Sequence, residues 1–292
     1  MALQIKTIKK RISSVKNIGK ITRAMEMVAA SKMRKATEQA LNTRTYAKLA
    51  LELLVNIAQE NVEHPLLEKR ELNKILIIII GSNKGLCGSY NSNVFKRLKE
   101  TLGIHEDKKI DFITIGKKAE KMVEENIIAS FIEFPEDITF DDITGLSKLV
   151  LDKFNNREYD RVKIIYTDFV SSIKSEVRKR NLLPVSEEIL QQMIDDIKKE
   201  DDKKENMSTY IFEPDKGRLL DEVLPRLVEI QLYQSILESN ASEHSSRMLA
   251  MKNASDSASE MLEELTLYFN QARQAAITQE ISEIASGAVA LE

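Results

Sequence analysis

The chain has 292 residues, of which 30% are charged, 5% aromatic and none tryptophan, and it carries a net charge of −3 at pH 7. That length can bury one good core or two, but so charged and aromatic-poor a composition speaks for an elongated, solvated molecule and against a single sphere. One cysteine, Cys87, excludes an internal disulfide and suits a reducing compartment, and the longest strongly apolar run, residues 75–80, is far too short to span a bilayer. With no signal peptide at its start, a soluble intracellular protein is expected.

From residue 1 to residue 64 there is no proline and only one glycine, Gly19. Proline costs a helix interior about 3 kcal/mol and glycine about 1, so their absence over this length permits one unbroken helix. Ile5, Ile8, Ile12, Val15, Ile18, Ile21, Met25 and Val28 step by threes and fours and predict a narrow apolar stripe along it. Residues 1–50 carry twelve Lys and Arg against two acids, Glu26 and Glu38. So basic an arm wants an acidic partner. Nucleic acid is disfavoured, since no aromatic precedes Tyr46 to stack on bases and no zinc-finger or basic-zipper pattern is present.

The middle of the chain is written in another period. Lys74-Ile-Leu-Ile-Ile-Ile-Ile80 is a β-branched run ending at Gly81, as expected of a strand buried on both faces of a parallel sheet. Asp111-Phe-Ile-Thr-Ile115, Gly116 and a helix over 117–125 repeat the strand–glycine–helix unit. A short strand over 127–134, a helix over 141–157 and a strand over 161–167 follow, giving a small doubly wound, Rossmann-like α/β domain. Residues 186–206, rich in Lys, Asp and Glu, read as an exposed excursion.

Between the first strand and a helix around 93–101 lies Gly81-Ser-Asn-Lys-Gly-Leu-Cys-Gly88. Lys84 precedes its glycine and no Ser or Thr follows it as in a Walker A loop, and the glycine spacing is not the dinucleotide fingerprint. About twenty residues on, Gly103, Ile104 and His105 offer no acid for a ribose. A structural turn is therefore expected over a phosphate site. Cys87 lacks an orienting histidine, because His64, His105 and His244 are scattered, and their spacing suits no metal. No catalytic residue, cofactor or metal is predicted.

From Arg226 to Glu292 proline is again absent and the only glycine is Gly287. Ala241, Met248, Met251, Ala258, Leu262, Leu265, Phe269, Ala272 and Ala276 mark a seam. Four basic and ten acidic side chains make this arm net negative, opposite to the first. An isolated helix of up to ~100 Å, at about 1.5 Å per residue, needs its seam covered. The first arm, returning from the far side of the middle domain, can cover it as an antiparallel coiled coil, and Ala250, Ala254, Ser257 and Ala258 allow a close approach. The expected organisation is an N-terminal coiled-coil helix over 1–62, an α/β body over 70–208 and a C-terminal coiled-coil helix over 215–292.

Ile277-Thr-Gln-Glu-Ile-Ser-Glu-Ile-Ala-Ser-Gly-Ala288 resembles the C-terminal signature of the gamma subunits of F-type ATP synthases, and Lys20-Ile-Thr-Arg-Ala-Met-Glu-Met-Val-Ala-Ala-Ser-Lys-Met-Arg-Lys35 resembles their opening helix. Gly85-Leu-Cys-Gly88 and the stretch from Ala241 to Ala254 agree with the same family, so the likeness spans nearly the whole chain. It implies a non-catalytic central rotor, docked peripherally at the cytoplasmic face of a bacterial membrane. Its partners would be the alpha and beta subunits of a catalytic ring, the epsilon subunit and a membrane ring of c subunits. It implies further that Met25, with Arg247, Gln274, Thr278 and Glu280, lies where rotation is coupled to catalysis, and that Tyr210, Phe212 and Glu213 face the c-ring. The family's plant chloroplast members carry a paired-cysteine switch, which a chain with Cys87 alone lacks. Two other readings stand beside the rotor: a Rossmann-like nucleotide-binding enzyme with oligomerising helical arms, and a passive coiled-coil spacer.

Overall fold

Six apolar residues in a row cannot alternate between core and water, so a strand built from them must be covered on both faces. Strand β1 (Lys74–Ile80) is the hub of a five-stranded sheet for that reason. The computed structural model describes the backbone of residues 2–58, 64–132, 134–135, 138–185 and 216–289, with side chains at 5–43, 64–132, 134–135, 138–185 and 220–286. The remaining elements are α1 (Ala2–Ala58), α2 (Tyr90–Ile104), β2 (Lys109–Ile115), α3 (Lys117–Glu120), β3 (Ile127–Phe131), α4 (Phe140–Asn155), β4 (Arg161–Phe169), β5 (Ser175–Leu183) and α5 (Lys216–Val289). The chain divides into two units, residues 1–30 with 247–292 and residues 31–246.

In the unit of residues 31–246 the strand order is β3-β2-β1-β4-β5, with β1 to β4 parallel and β5 antiparallel at the edge. Ile75, Ile77 and Ile79 face one way, packing with Phe112 and Ile165 against Val94 and Leu98 of α2 and Ala119 of α3. Leu76, Ile78 and Ile80 face the other way, under Ile143, Leu146, Val150 and Phe154 of α4 and under Leu224, Val228, Leu232 and Ile236 of α5. Helix α4 begins where the Asp142 carboxylate accepts hydrogen bonds from the backbone N–H and the hydroxyl of Thr139, both at 2.7 Å. Those bonds hold the Asp142 carboxyl below its ordinary range.

Several local expectations are corrected. The helix after Gly116 ends at Glu120 and not at 125, because Met122 and Val123 close three-residue turns and Asn126 takes φ 64 to enter β3. β3 itself stops at Phe131. β5 has no counterpart in the sequence reading: Arg178, Lys179 and Arg180 disguise it as surface loop, although Arg178 pairs with Asp168 at 2.8 Å and Arg180 lies over the Tyr166 ring. α5 starts at Lys216 and continues through Pro225 without a break. The excursion expected over 186–206 lies outside the described residues.

In the unit of residues 1–30 and 247–292, α1 and α5 pair as an antiparallel coiled coil. Between residues 5 and 30 of α1 the half-buried and buried positions are Ile5, Ile8, Ile12, Val15, Gly19, Thr22, Met25, Glu26, Ala29 and Ala30, and the run 5-8-12-15-19-22-26-29 among them alternates threes and fours with the 3.5-residue mean of a left-handed coil. Here the expected stripe is half corrected. Ile18, Ile21 and Val28 are exposed, because repeated steps of three drift off a seam that needs 3.5. The seam takes Gly19 and Thr22 in their place. A Cβ at Gly19 would stand 3.5 Å from the Cβ of Ala258, so small residues on both helices set the approach. On α5 the buried and half-buried residues Met248, Met251, Ala258, Leu262, Leu265, Phe269, Ala272 and Ala276 follow the expected seam.

Candidate functional site: the surfaces of the coil

A doubly wound sheet binds ligands beyond the carboxyl ends of its strands, at the point where strand order reverses. Here that point lies between β1 and β4, and the protein fills it with its own side chains. Ser239 of α5 accepts a hydrogen bond from the Thr167 N–H at 3.1 Å, and the Ser242 hydroxyl donates to the Thr167 carbonyl at 3.3 Å. Tyr90, the first residue of α2, is buried beside Ser239 and Thr167, and burial, with Glu243 adding, pushes its phenol far above the ordinary range.

The 81–88 turn is closed in the same way. Asn91 accepts from the Ser82 N–H at 3.1 Å, donates to the Ser82 hydroxyl at 2.7 Å and lies 3.2 Å from the buried Cys87 sulfur. Ser82 donates its hydroxyl to the Lys84 carbonyl at 2.8 Å. Asn83 and the Ser82 carbonyl then accept the N–H groups of Lys117 and Lys118, at 3.1 and 2.9 Å, which ties the turn to the start of α3. Gly116 makes the tie possible: its φ is +92°, and a Cβ there would meet the Gly81 carbonyl oxygen at 2.3 Å. The loop that resembled a phosphate cradle is a clasp between strand ends.

The coil offers a different kind of surface. Gly19 opposite Ala258 sets an antiparallel register in which the first residues of α1 lie opposite positions near 275 of α5. Burial agrees, since Ala276 is the last half-buried residue and 277–286 are all exposed. The ten residues 277–286 of α5, roughly 15 Å, therefore lie beyond the described part of the seam. Ile277, Ile281 and Ile284 repeat at i, i+4 and i+7 along this overhang, and Ile281 is 62% exposed. A second bare stripe, Ile18, Ile21 and Val28, flanks the seam of α1.

The candidate residues fall on these surfaces unequally. Met25 is half-buried in step with Ile18, Ile21 and Val28; Gln274, Thr278 and Glu280 are exposed along the end of α5; Arg247 is buried near the beginning of the α5 half of the coil. Arg247 is thus separated along α5 from Thr278 and Glu280 by about thirty residues, or some 45 Å, and the five do not converge on one spot. Tyr210, Phe212 and Glu213 lie outside the described residues. The apolar overhang of Ile277, Ile281 and Ile284 was missed as a site, though its signal stood in the sequence: an apolar repeat continuing beyond the length the first arm can cover.

An antiparallel two-helix coil with bare apolar stripes, together with a doubly wound sheet whose crevice is filled by its own helix, defines a protein that works through its surfaces. A family model described as ATP synthase matches residues 4–291. The ATP synthase gamma chain of Legionella pneumophila is 38% identical over 98% of this chain and 99% of its own, and that of Heliobacterium modesticaldum is 38% identical over the same shares. Among solved structures, the central stalk and c-ring of the Tetrahymena thermophila mitochondrial ATP synthase contains a chain 26% identical, with a TM-score of 0.59 over 80% of this chain and 99% of that one. The Euglena gracilis mitochondrial ATP synthase rotor, at 20% identity, a TM-score of 0.64 and coverage of 95% and 100%, shares the fold. The chain belongs to the ATP synthase gamma-chain family.

Proposed function

We propose that this chain transmits torque without chemistry of its own, and that the catalytic sites it serves lie on alpha and beta subunits arranged around the coil. The observation that carries the proposal is the apolar surface the coil leaves bare: Ile277, Ile281 and Ile284 on the overhang, and Ile18, Ile21 and Val28 beside Met25. In a monomer such stripes are a liability, whereas inside a ring they form a bearing. Identical nucleotide sites can be held in different states only by a part that contacts each differently, and a two-helix rod with one bare side is such a part. Contacts of this kind are non-directional, so they can favour one angle and still slide.

The relatives' complexes contain a c-ring and F1. On that basis the partners of this chain are the alpha and beta subunits along the coil and the c-ring and epsilon subunit at the α/β body, with Tyr210, Phe212 and Glu213 facing the c-ring. The basic first arm would meet acidic surface on the beta subunits. No helix among the described residues is long and apolar enough to cross a membrane, which fits a subunit attached peripherally, at the cytoplasmic face, through the membrane sector. Met25→Lys tests the reading in the assembled enzyme. The complex should form and hydrolyse ATP while ATP-driven ion pumping falls at least about tenfold relative to hydrolysis, and unchanged coupling would remove Met25 from the mechanism.

A further inference from the structure

The sheet face beneath α2 carries a cluster that the rotor role leaves unused. Arg161 and Lys163 are alternate residues of β4 on the side of Ile165, and Lys179 stands opposite Ile165 on β5, so all three project to the face that α2 covers. Helix α2 stops beside them. Its C-cap, His105, has Nε2 in hydrogen-bond contact with the Lys163 ammonium, and the Lys108 N–H donates to the His105 carbonyl at 3.0 Å. Lys163 is only 4% exposed, while Arg161, Lys179, Lys108 and His105 are half-buried.

No acid neutralises this group among the described residues. Glu106 and Asp107 belong to the same turn, but they are exposed and make no ion pair with it. Asp160, next to Arg161, is engaged with the backbone N–H groups of Asn73 and Lys74 at 2.9 and 2.8 Å. Arg178 and Arg180 lie on the other face of β5, on Asp168 and the Tyr166 ring. Burial drives the Lys163 ammonium down to about 8, with Lys179 and Arg161 adding, and it lowers the His105 imidazole too, with Lys163, Lys179, Arg161 and Lys108 adding. Among the described residues the fold gathers four cations at one end of this face and sets only the carbonyl end of α2 against them, with no acidic side chain, which raises its energy unless an anion reaches them.

We infer that this cluster binds a compact phosphate-class dianion, with Lys179, Arg161 and Lys108 reaching its oxygens, His105 donating from Nδ1, and Lys163 supplying charge from below. With Nε2 accepting from Lys163, the neutral imidazole keeps its proton on Nδ1, as that role needs. A carboxylate side chain would neutralise one of the four charges. A phosphate carries about −1.5 to −2 and offers three oxygens to the side-chain donors of β4, β5 and the turn that follows α2.

The test uses the full-length chain and the imidazole NMR signals, with His105 identified by His105→Asn. Inorganic phosphate, titrated at constant ionic strength against chloride, should raise the pH midpoint of the His105 signal by about 0.5 or more in a saturable way, because a bound dianion favours the imidazolium. Lys179→Gln should weaken binding about tenfold or more, and His64 and His244 should stay unmoved. Vesicles containing phosphatidic acid identify the source: binding to them without binding of free phosphate points to a lipid headgroup, and competition between the two points to a free ion; either supports a phosphate site. A His105 signal that moves no further in phosphate than in chloride and is also unmoved by those vesicles overturns the inference. So does an affinity indifferent to Lys179→Gln, equal binding to phosphatidylcholine vesicles, or a polyglutamate that binds more tightly than either phosphate source.

Discussion

The two units use isoleucine to opposite ends. In the sheet unit Ile75, Ile77, Ile78 and Ile79 are wholly buried, each face of β1 closed by helices of the same chain. In the coil unit Ile18, Ile21, Ile277, Ile281 and Ile284 are exposed on helices that close only one narrow seam. The first unit encloses its apolar residues by itself, and the second leaves apolar residues bare along both described helices. Glycine divides in the same way: Gly116 is fixed by a backbone conformation and a backbone contact, whereas Gly19 is fixed by nothing more than the approach of a helix.

Five substitutions sharpen this contrast. Ile77→Ala should cost the sheet unit about 2–5 kcal/mol in denaturant unfolding, since a fully enclosed side chain leaves a cavity, while Ile281→Ala should leave unfolding within about 0.5 kcal/mol and weaken assembly with partner subunits. Equal losses of stability at the two positions would erase the distinction. Next in size, Gly116→Ala should cost about 3 kcal/mol, because both its positive φ and the Gly81 carbonyl oppose a Cβ. Lys163→Met should stabilise the sheet unit by about 1–2 kcal/mol by removing a buried, acid-free ammonium, and a drop in melting temperature would show that the charge is compensated. Gly19→Ala, whose new methyl makes an ordinary 3.5 Å contact with Ala258, should stabilise the coil by about 0.5–1 kcal/mol.

A pH series gives the smallest effect. His105 binds its proton less tightly folded than unfolded, so the unfolded chain takes up more protons below the ordinary value of 6.5 and stability declines as pH drops through that region. Phosphate-free unfolding curves should show the decline and His105→Asn should flatten it, by less than about 1 kcal/mol.

What could be read from the sequence follows the same division. β1, β2 and β4 were legible because burial on both faces forces continuous apolar runs such as 75–80, which no helix stripe imitates. β5 was not: an edge strand keeps water on one side, and Arg178, Lys179 and Arg180 satisfy it with charge and aliphatic stems. Pro225 lies inside α5 without ending it, because the helix there is packed through Leu224, Leu227 and Val228 and tertiary burial outweighs one missing N–H. Along α1 two stripes lie one residue apart, the apolar Ile18-Ile21-Met25-Val28 beside the smaller and more polar Gly19-Thr22-Glu26-Ala29. Hydrophobicity selects the first and close packing selects the second. Ile18, Ile21 and Val28 of the first are left exposed, and the place of Ala258 opposite Gly19 puts the second in the seam. The candidate residues on 210–213 came from family resemblance alone.

The antiparallel register underlies both the overhang and the bare stripes, and one crosslink tests it. In a Cys87→Ala background, Gly19→Cys with Ala258→Cys should form a disulfide in high yield under mild oxidation, since the 3.5 Å Cβ separation lies at the near edge of the roughly 3.5–4.5 Å such a bond needs. Pairs displaced by one turn, such as Gly19→Cys with Leu262→Cys, should not. Failure of the first pair with ready closure of a displaced one would contradict the register and, with it, the free end of α5.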